Sequence, residues 1–165
     1  RYGANEYRGA PQLLKTVNRF LTRDSMETGR FMTMFFLDID PSAKIFKWIR
    51  AGHDPALLYD PSLDTFENLS GDGMALGVVA ELDFHEHSRQ GLCPGSLLVI
   101  GTDGIWETRN TENEMFGQER YRETIRKHAA ESAADIQNAV IDAVASFQGD
   151  ANQEDDITLV VIKLL

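Results

Sequence analysis

Apolar residues recur at three- and four-residue spacing behind Pro11, at Leu13, Leu14, Val17, Phe20 and Leu21. This spacing predicts an amphipathic helix with proline in its first turn. Arg23 to Arg30 is a polar connection. The pattern then changes to a nearly continuous apolar run from Phe31 to Ile39, which predicts a buried strand, closed by the turn signal Asp40-Pro41-Ser42. Lys44 to Arg50 mixes Ile45, Phe46, Trp48 and Ile49 with charged residues, and a hairpin with the preceding strand is the simplest pairing. Ala56–Tyr59 and Thr65–Leu69 flank Asp60-Pro61-Ser62 as a second strand pair. Phe84 to Arg89 carries a weak alternating signal, and Leu97 to Ile100 reads as a further buried strand.

The period lengthens again towards the C-terminus. Gln118 to His128 has too little apolar content to decide by itself. Ser132 is a fitting N-cap for a helix whose apolar face is Ile136, Val140, Ile141, Val144 and Phe147. Ile157 to Leu165 predicts a final strand. Strands in runs beside grouped helices predict an α+β fold rather than alternating βαβ units. A chain of 165 residues suits one domain over residues 1–165 with a core of its own.

Charge narrows the function classes. Sixteen Lys and Arg against 26 Asp and Glu give a formal net charge of −10, with no basic run to neutralise phosphates. Nucleic acid is thereby disfavoured as a partner, and so is an anionic membrane surface. Cys93 is the only cysteine, so neither an intrachain disulfide nor a thiolate metal cage can form. Cys93 reads as a small packing residue, and a reducing cytoplasm is the expected location. No apolar stretch is long enough to span a bilayer. The start at Arg1-Tyr2-Gly3, without an initiator Met, is that expected of a piece of a longer protein.

The chemistry concentrates in two distant acidic motifs. Gly101-Thr102-Asp103-Gly104 follows one apolar run, and Asp155-Asp156-Ile157-Thr158 opens another. Each places carboxylates at a strand end, without a neighbouring Lys or Arg, in the manner of a hard divalent cation site. Thr102 is suited to orient Asp103 through its hydroxyl. Asp is also an ordinary turn and strand-end residue, and either motif alone reads that way. If the second motif is extended, Asp155 and Asp156 point to opposite faces and one of them alone shares a site with Asp103.

Other candidates are weaker. Asp150, Asn152 and Glu154 lack the central Gly and closing Glu of a calcium loop. His85 and His87 would share a strand face, but no third zinc ligand stands near them in sequence. His53, in Gly52-His53-Asp54, reads as a structural histidine at a strand end. No Ser or Cys has an activating neighbourhood, and no Walker loop or dinucleotide fingerprint occurs.

Taken in order, Ala51-Gly52-His53-Asp54-Pro55-Ala56, Met74-Ala75-Leu76-Gly77, Thr102-Asp103-Gly104-Ile105-Trp106-Glu107, Glu114-Met115-Phe116-Gly117 and Asp155-Asp156-Ile157-Thr158 form a specific set. From Gly29 onward the chain resembles the bacterial metal-dependent protein phosphatases of the PPM (type 2C-like) family, in the branch that controls sigma factors. The resemblance implies a β-sandwich flanked by helices, with two manganese or magnesium ions held between the sheets. It implies Asp103 and Asp155 as catalytic metal ligands, Gly104 as a further ligand, and Gly52, His53, Thr102 and Asp156 as residues framing the site, with the Gly73–Gly77 loop beside them. The reaction it implies is in-line hydrolysis of phosphoserine or phosphothreonine by water, without a phosphoenzyme.

The implied substrate is a phosphorylated regulatory protein such as an anti-sigma-factor antagonist. The implied company is an upstream sensor or receiver module, with a homodimer compatible. One departure matters. The family's other ligand carboxylates lie in an N-terminal strand pair ending in an Asp-containing Gly-His-Gly turn, and nothing here matches it. The chain is therefore expected to lack those strands, and Arg1 to Thr22 to be what remains of the helices that gate metal binding in relatives. A catalytically silent, partner-binding module is the alternative reading.

Overall fold

A computed structural model describes residues 9–25 and 29–165. The expectations placed on Arg1 to Arg8, and on 26–28 within the first connection, lie outside the described residues. The elements run α1 (Ala10–Ser25), β1 (Met34–Asp40), β2 (Ile45–Ala51), β3 (Ala56–Asp60), β4 (Thr65–Leu69), β5 (His87–Gln90), β6 (Leu97–Gly101), α2 (Gly104–Glu107), α3 (Gly117–His128), α4 (Ala133–Gln148) and β7 (Leu159–Lys163). The chain divides into two compact units, Arg1–Pro55 with Ser70–Leu92, and Ala56–Leu69 with Cys93–Leu165.

The first unit holds an antiparallel sheet in the order β1-β2-β5. The predicted hairpin is present, with Met34 opposite Ala51 and Asp40 opposite Ile45. Asp40 Oδ1 accepts from Ala43 N at 2.9 Å and shapes the turn. The apolar run from Phe31 is less buried than expected. Phe31 is 66% exposed, β1 begins only at Met34, and its residues are half-buried or exposed. Helix α1 buries Ala10 and Leu14 in a cluster with Ile49, Ala51, Leu76 and Phe84, with Leu21 packed alongside. Leu13 and Phe20, on the predicted apolar stripe, face solvent. Their place is taken by the buried Asn18, whose Nδ2 donates to Val79 O (2.8 Å) and Ala80 O (3.2 Å) while its Oδ1 accepts from Gly77 N (2.9 Å). A buried amide satisfied at both ends costs little and fixes the loop it grips.

The second unit holds an antiparallel sheet in the order β4-β3-β6-β7, together with α2, α3 and α4. Leu57, Tyr59, Leu97 and Val99 of the sheet pack in one cluster with Ile105, Ile125, Ile136, Val140 and Val144. Ser132 caps α4 as predicted, its Oγ accepting from Asp135 N at 3.2 Å. The undecided segment is helix α3. Its apolar contribution is small because two residues, Tyr121 and Ile125, meet the core one turn apart. Short α2 has no signature in the apolar pattern.

Candidate active site

Strand pairing assembles the two acidic motifs within the second unit. The β6–β7 ladder runs to Gly101 opposite Leu159, so Thr102-Asp103-Gly104 and Asp155–Thr158 leave the sheet side by side. Thr102 N donates to Thr158 O at 3.1 Å, and the Thr102 hydroxyl donates to Asp156 O and accepts from Thr158 N, each at 3.0 Å. Gly104 lies hard against the second motif: a Cβ there would stand 2.5 Å from Asp156 O and 3.1 Å from Asp156 C. Glycine is required here for space, since its φ is not left-handed.

Asp103 caps α2 and is half-buried, its Oδ1 accepting from Gly104 N at 3.1 Å. Asp155 sits at an exposed bend, its Oδ1 accepting from Asp156 N at 2.7 Å. Because β7 starts only at Leu159, strand alternation does not apply to Asp155 and Asp156. Among the described residues, neither Asp103 nor Asp155 forms an ion pair with Lys, Arg or His. Among the described residues, no protein donor reaches the Oδ2 of either carboxylate.

These oxygens and the Gly104 carbonyl are hard donors, matched in kind to magnesium or manganese. In number the set is partial. Among the described residues no group of three or more His, Cys, Asp and Glu gathers around a common cation position.

A recess of about 120 Å³ adjoins Gly104 and Asp155, with Glu107, Arg109, Met115 and Glu154 among its walls. One wall is a tight hairpin that the sequence reading passed over. Asn110 Oδ1 accepts from Glu112 N (3.0 Å) and Glu114 N (2.9 Å), and Arg109 Nη1 donates to Asn113 O (2.9 Å). The available signal was Asn110-Thr111-Glu112-Asn113, since Asn side chains fold back on turns in this way. Arg109 Nε also approaches Glu154 Oε2 at 3.9 Å.

Gly52 and His53 belong to the first unit, where they interlock with the Gly-rich loop. Gly52 N donates to Gly73 O at 3.1 Å. At φ 73° with Ala75 N 2.7 Å from any added Cβ, Gly52 admits no side chain. Arg50 donates through Nε to His53 O and through Nη1 to Gly71 O (2.7 Å), tying both segments together. His53 Nδ1 lies 3.0 Å from Asp54 O, and its ring meets Phe35 edge-on.

His85 and His87 both meet the Asp72 carboxylate, as hydrogen-bond partners rather than as ligands of a common cation. His85 Nδ1 is 2.9 Å from Asp72 Oδ2, and His87 Nε2 is 3.2 Å from Oδ1. A hydrogen bond from its own backbone amide, then those from the histidines, hold the Asp72 carboxyl below the usual range.

The family model of Stage II sporulation protein E (SpoIIE) matches residues 3–165. The chain belongs to the SpoIIE family. This SpoIIE-family chain is 30% identical over 152 residues to the phosphoserine phosphatase RsbU of Bacillus subtilis, an alignment spanning 92% of the chain and 44% of RsbU. In structure it is similar to the SiaA-PP2C domain of Pseudomonas aeruginosa, with TM-score 0.82 and 20% identity over 98% of this chain and 63% of that one. It is also similar to the manganese-presoaked phosphatase domain of SpoIIE from Bacillus subtilis, with TM-score 0.60 and 20% identity over 98% and 68% of the two chains. The α+β architecture with two antiparallel sheets is thus the PP2C-type phosphatase fold, as the sequence motifs implied.

Proposed function

We propose that residues 1–165 form a phosphatase domain that hydrolyses phosphoserine or phosphothreonine on a regulatory protein with the help of divalent cations. The observation that supports this reading is that the segments Thr102-Asp103-Gly104 and Asp155–Thr158 run side by side at one end of the β6–β7 ladder and that, among the described residues, neither Asp103 nor Asp155 has a cationic partner. Asp103 and Asp155 would hold the metal through their free Oδ2 atoms, and the Gly104 carbonyl would add a neutral oxygen. Manganese or magnesium, when bound, supplies positive charge for the phosphoryl oxygens and lowers the pKa of water. The manganese used with the SpoIIE phosphatase domain supports that choice of ion.

In the net reaction an oxygen from water bonds to phosphorus, the serine Oγ–P bond breaks, and the serine oxygen takes a proton. No side-chain nucleophile is needed, in keeping with a sequence that offers none. Thr102 and Asp156 shape the corner. An anti-sigma-factor antagonist is the substrate class that kinship with RsbU suggests. The chain spans under half of RsbU's length, so sensor or receiver modules belong to the same proposal. Among the described residues no helix is long and apolar enough to cross a membrane, in keeping with work in the cytoplasm.

The test is manganese-dependent phosphate release from a phosphoserine protein, abolished in Asp103→Asn. Full activity in that variant would refute the assignment. The partial donor set supports a second reading, a silent module that sequesters a phosphoprotein. Such a module would bind its partner equally with and without manganese and release no phosphate.

A further inference from the structure

The β6–β7 ladder by itself does not fix the distance between the two acids. Its last pair is Gly101 with Leu159, and one further main-chain bond joins Thr102 N to Thr158 O. Asp155 and Asp156 lie beyond that point, outside any strand. Gln153 Nε2 donates to Asp155 O at 2.8 Å from within the same segment, and the side chain that reaches across from the β6 end is that of Thr102. The Thr102 hydroxyl donates a hydrogen bond to Asp156 O and accepts one from Thr158 N, so one oxygen spans three residues of the facing segment. The Asp156 carbonyl it grips is the one pressed against Gly104.

Thr102 immediately precedes Asp103, and Asp156 immediately follows Asp155. The clamp therefore joins the covalent neighbours of both carboxylates. Threonine suits the task because its β-branch restricts χ1 and keeps the hydroxyl aimed.

We infer that the Thr102 hydroxyl is a positioning group. By holding the Asp156 peptide it sets the separation of Asp103 and Asp155, and through it the affinity of the corner for a divalent cation. This rests on the reading of the two acids given above and goes beyond a bond from Thr102 to Asp103 itself, which the structure does not contain among its described hydrogen bonds.

The test is calorimetric titration of manganese chloride into the full chain and its Thr102→Val, Thr102→Ala and Thr102→Ser variants, beside thermal melts of each in chelator. Partners of metal ligands typically govern affinity by 10- to 100-fold, so Val and Ala are expected to bind manganese about 10- to 100-fold more weakly, and Ser within about threefold of wild type. In chelator the melts should differ far less than the affinities. Equal affinity in Val and Ala, or an equal loss in Ser, overturns the proposal while leaving the metal reading intact. Failure of both Val and Ala to fold makes the hydroxyl a structural group and overturns it as well. If the wild-type chain takes up no manganese, the metal reading falls first and the clamp falls with it.

Discussion

The corner at Asp103 and the corner at Gly52 are built by different means. At Asp103 a strand ladder, a buried cluster from Leu97 to Val144, a glycine in backbone contact with Asp156 and one neutral hydroxyl, that of Thr102, hold the two acidic segments together. At Gly52 the segments are tied largely by side chains: Arg50 to His53 O and Gly71 O, Asp72 to His85 and His87, Trp48 Nε1 to Ser70 O at 2.8 Å. Asp72, His85 and His87 have side-chain exposures of 66%, 63% and 36%. A main-chain corner keeps its geometry across pH and salt. A corner of exposed polar side chains is adjustable, since each pair is individually weak and screened.

The largest effect should come from emptying the rigid corner of charge. Asp103→Asn keeps the α2 cap, because an amide oxygen still accepts from Gly104 N, but withdraws a charged oxygen from the proposed cation site. Manganese affinity should fall by about 100-fold or more, beyond what loss of a ligand's neighbour costs, as measured by calorimetry and by the manganese dependence of phosphate release. Next comes steric disruption. Gly104→Ala drives a Cβ into main-chain atoms of Asp156, which cannot rotate aside as a side chain would. A loss of about 1–3 kcal/mol is expected in denaturant unfolding, with weakened manganese uptake. An unchanged midpoint would show that the corner yields as easily as the other one, and the contrast would fail.

What could be read beforehand follows the same division. The β1–β2 hairpin, the β3–β4 pair and the Ser132 cap were legible, because apolar periodicity and turn residues report local pairing. Asn18 was not: inside an amphipathic pattern it looks like a solvent residue, and only the carbonyls of Val79 and Ala80 and the amide of Gly77 reveal its buried role. Asp72 was likewise hidden, since it meets His85 and His87 across 13 and 15 residues of irregular chain. Helix α3 was ambiguous because its charged faces are used. Arg126 Nε binds Asp64 at 2.7 Å and lies over the Phe66 ring, while Arg120 stacks on Phe147.

The compliant corner should show its character in acid. The Asp72 carboxyl is held below its ordinary value, so its contribution is present above the unfolded pKa of about 3.9 and is lost as pH falls through the lower folded value. Trp48 reports on this region because its ring stacks on His87 with centroids 5.7 Å apart. Its fluorescence should step between pH 4 and 2 (roughly the window below an ordinary carboxylate) before global unfolding, and the step should vanish in Asp72→Ala. A step that survives the substitution would assign the acid response elsewhere.

The smallest effect lies in the rigid corner's own core. Tyr121 is buried beneath Gly101, its hydroxyl 3.2 Å from where a Gly101 Cβ would be, and among the described residues that hydroxyl has no hydrogen-bond partner. Burial pushes its pKa above the ordinary phenol range. Because the folded value is raised, the associated stability is complete below the unfolded pKa of about 10 and drains as pH climbs from there towards the folded value. Tyr121→Phe removes an unpaired oxygen rather than a hydrogen bond. Stability at pH 7 should therefore move by no more than about 1 kcal/mol in either direction. At alkaline pH the variant should lose stability less steeply than wild type. Some slope should remain from Tyr59, whose pKa is raised first by burial and then by its bond to Asp64. A neutral-pH loss as large as that of Gly104→Ala would mean that this hydroxyl has a partner, and that the rigid corner leans on a second polar side chain besides Thr102.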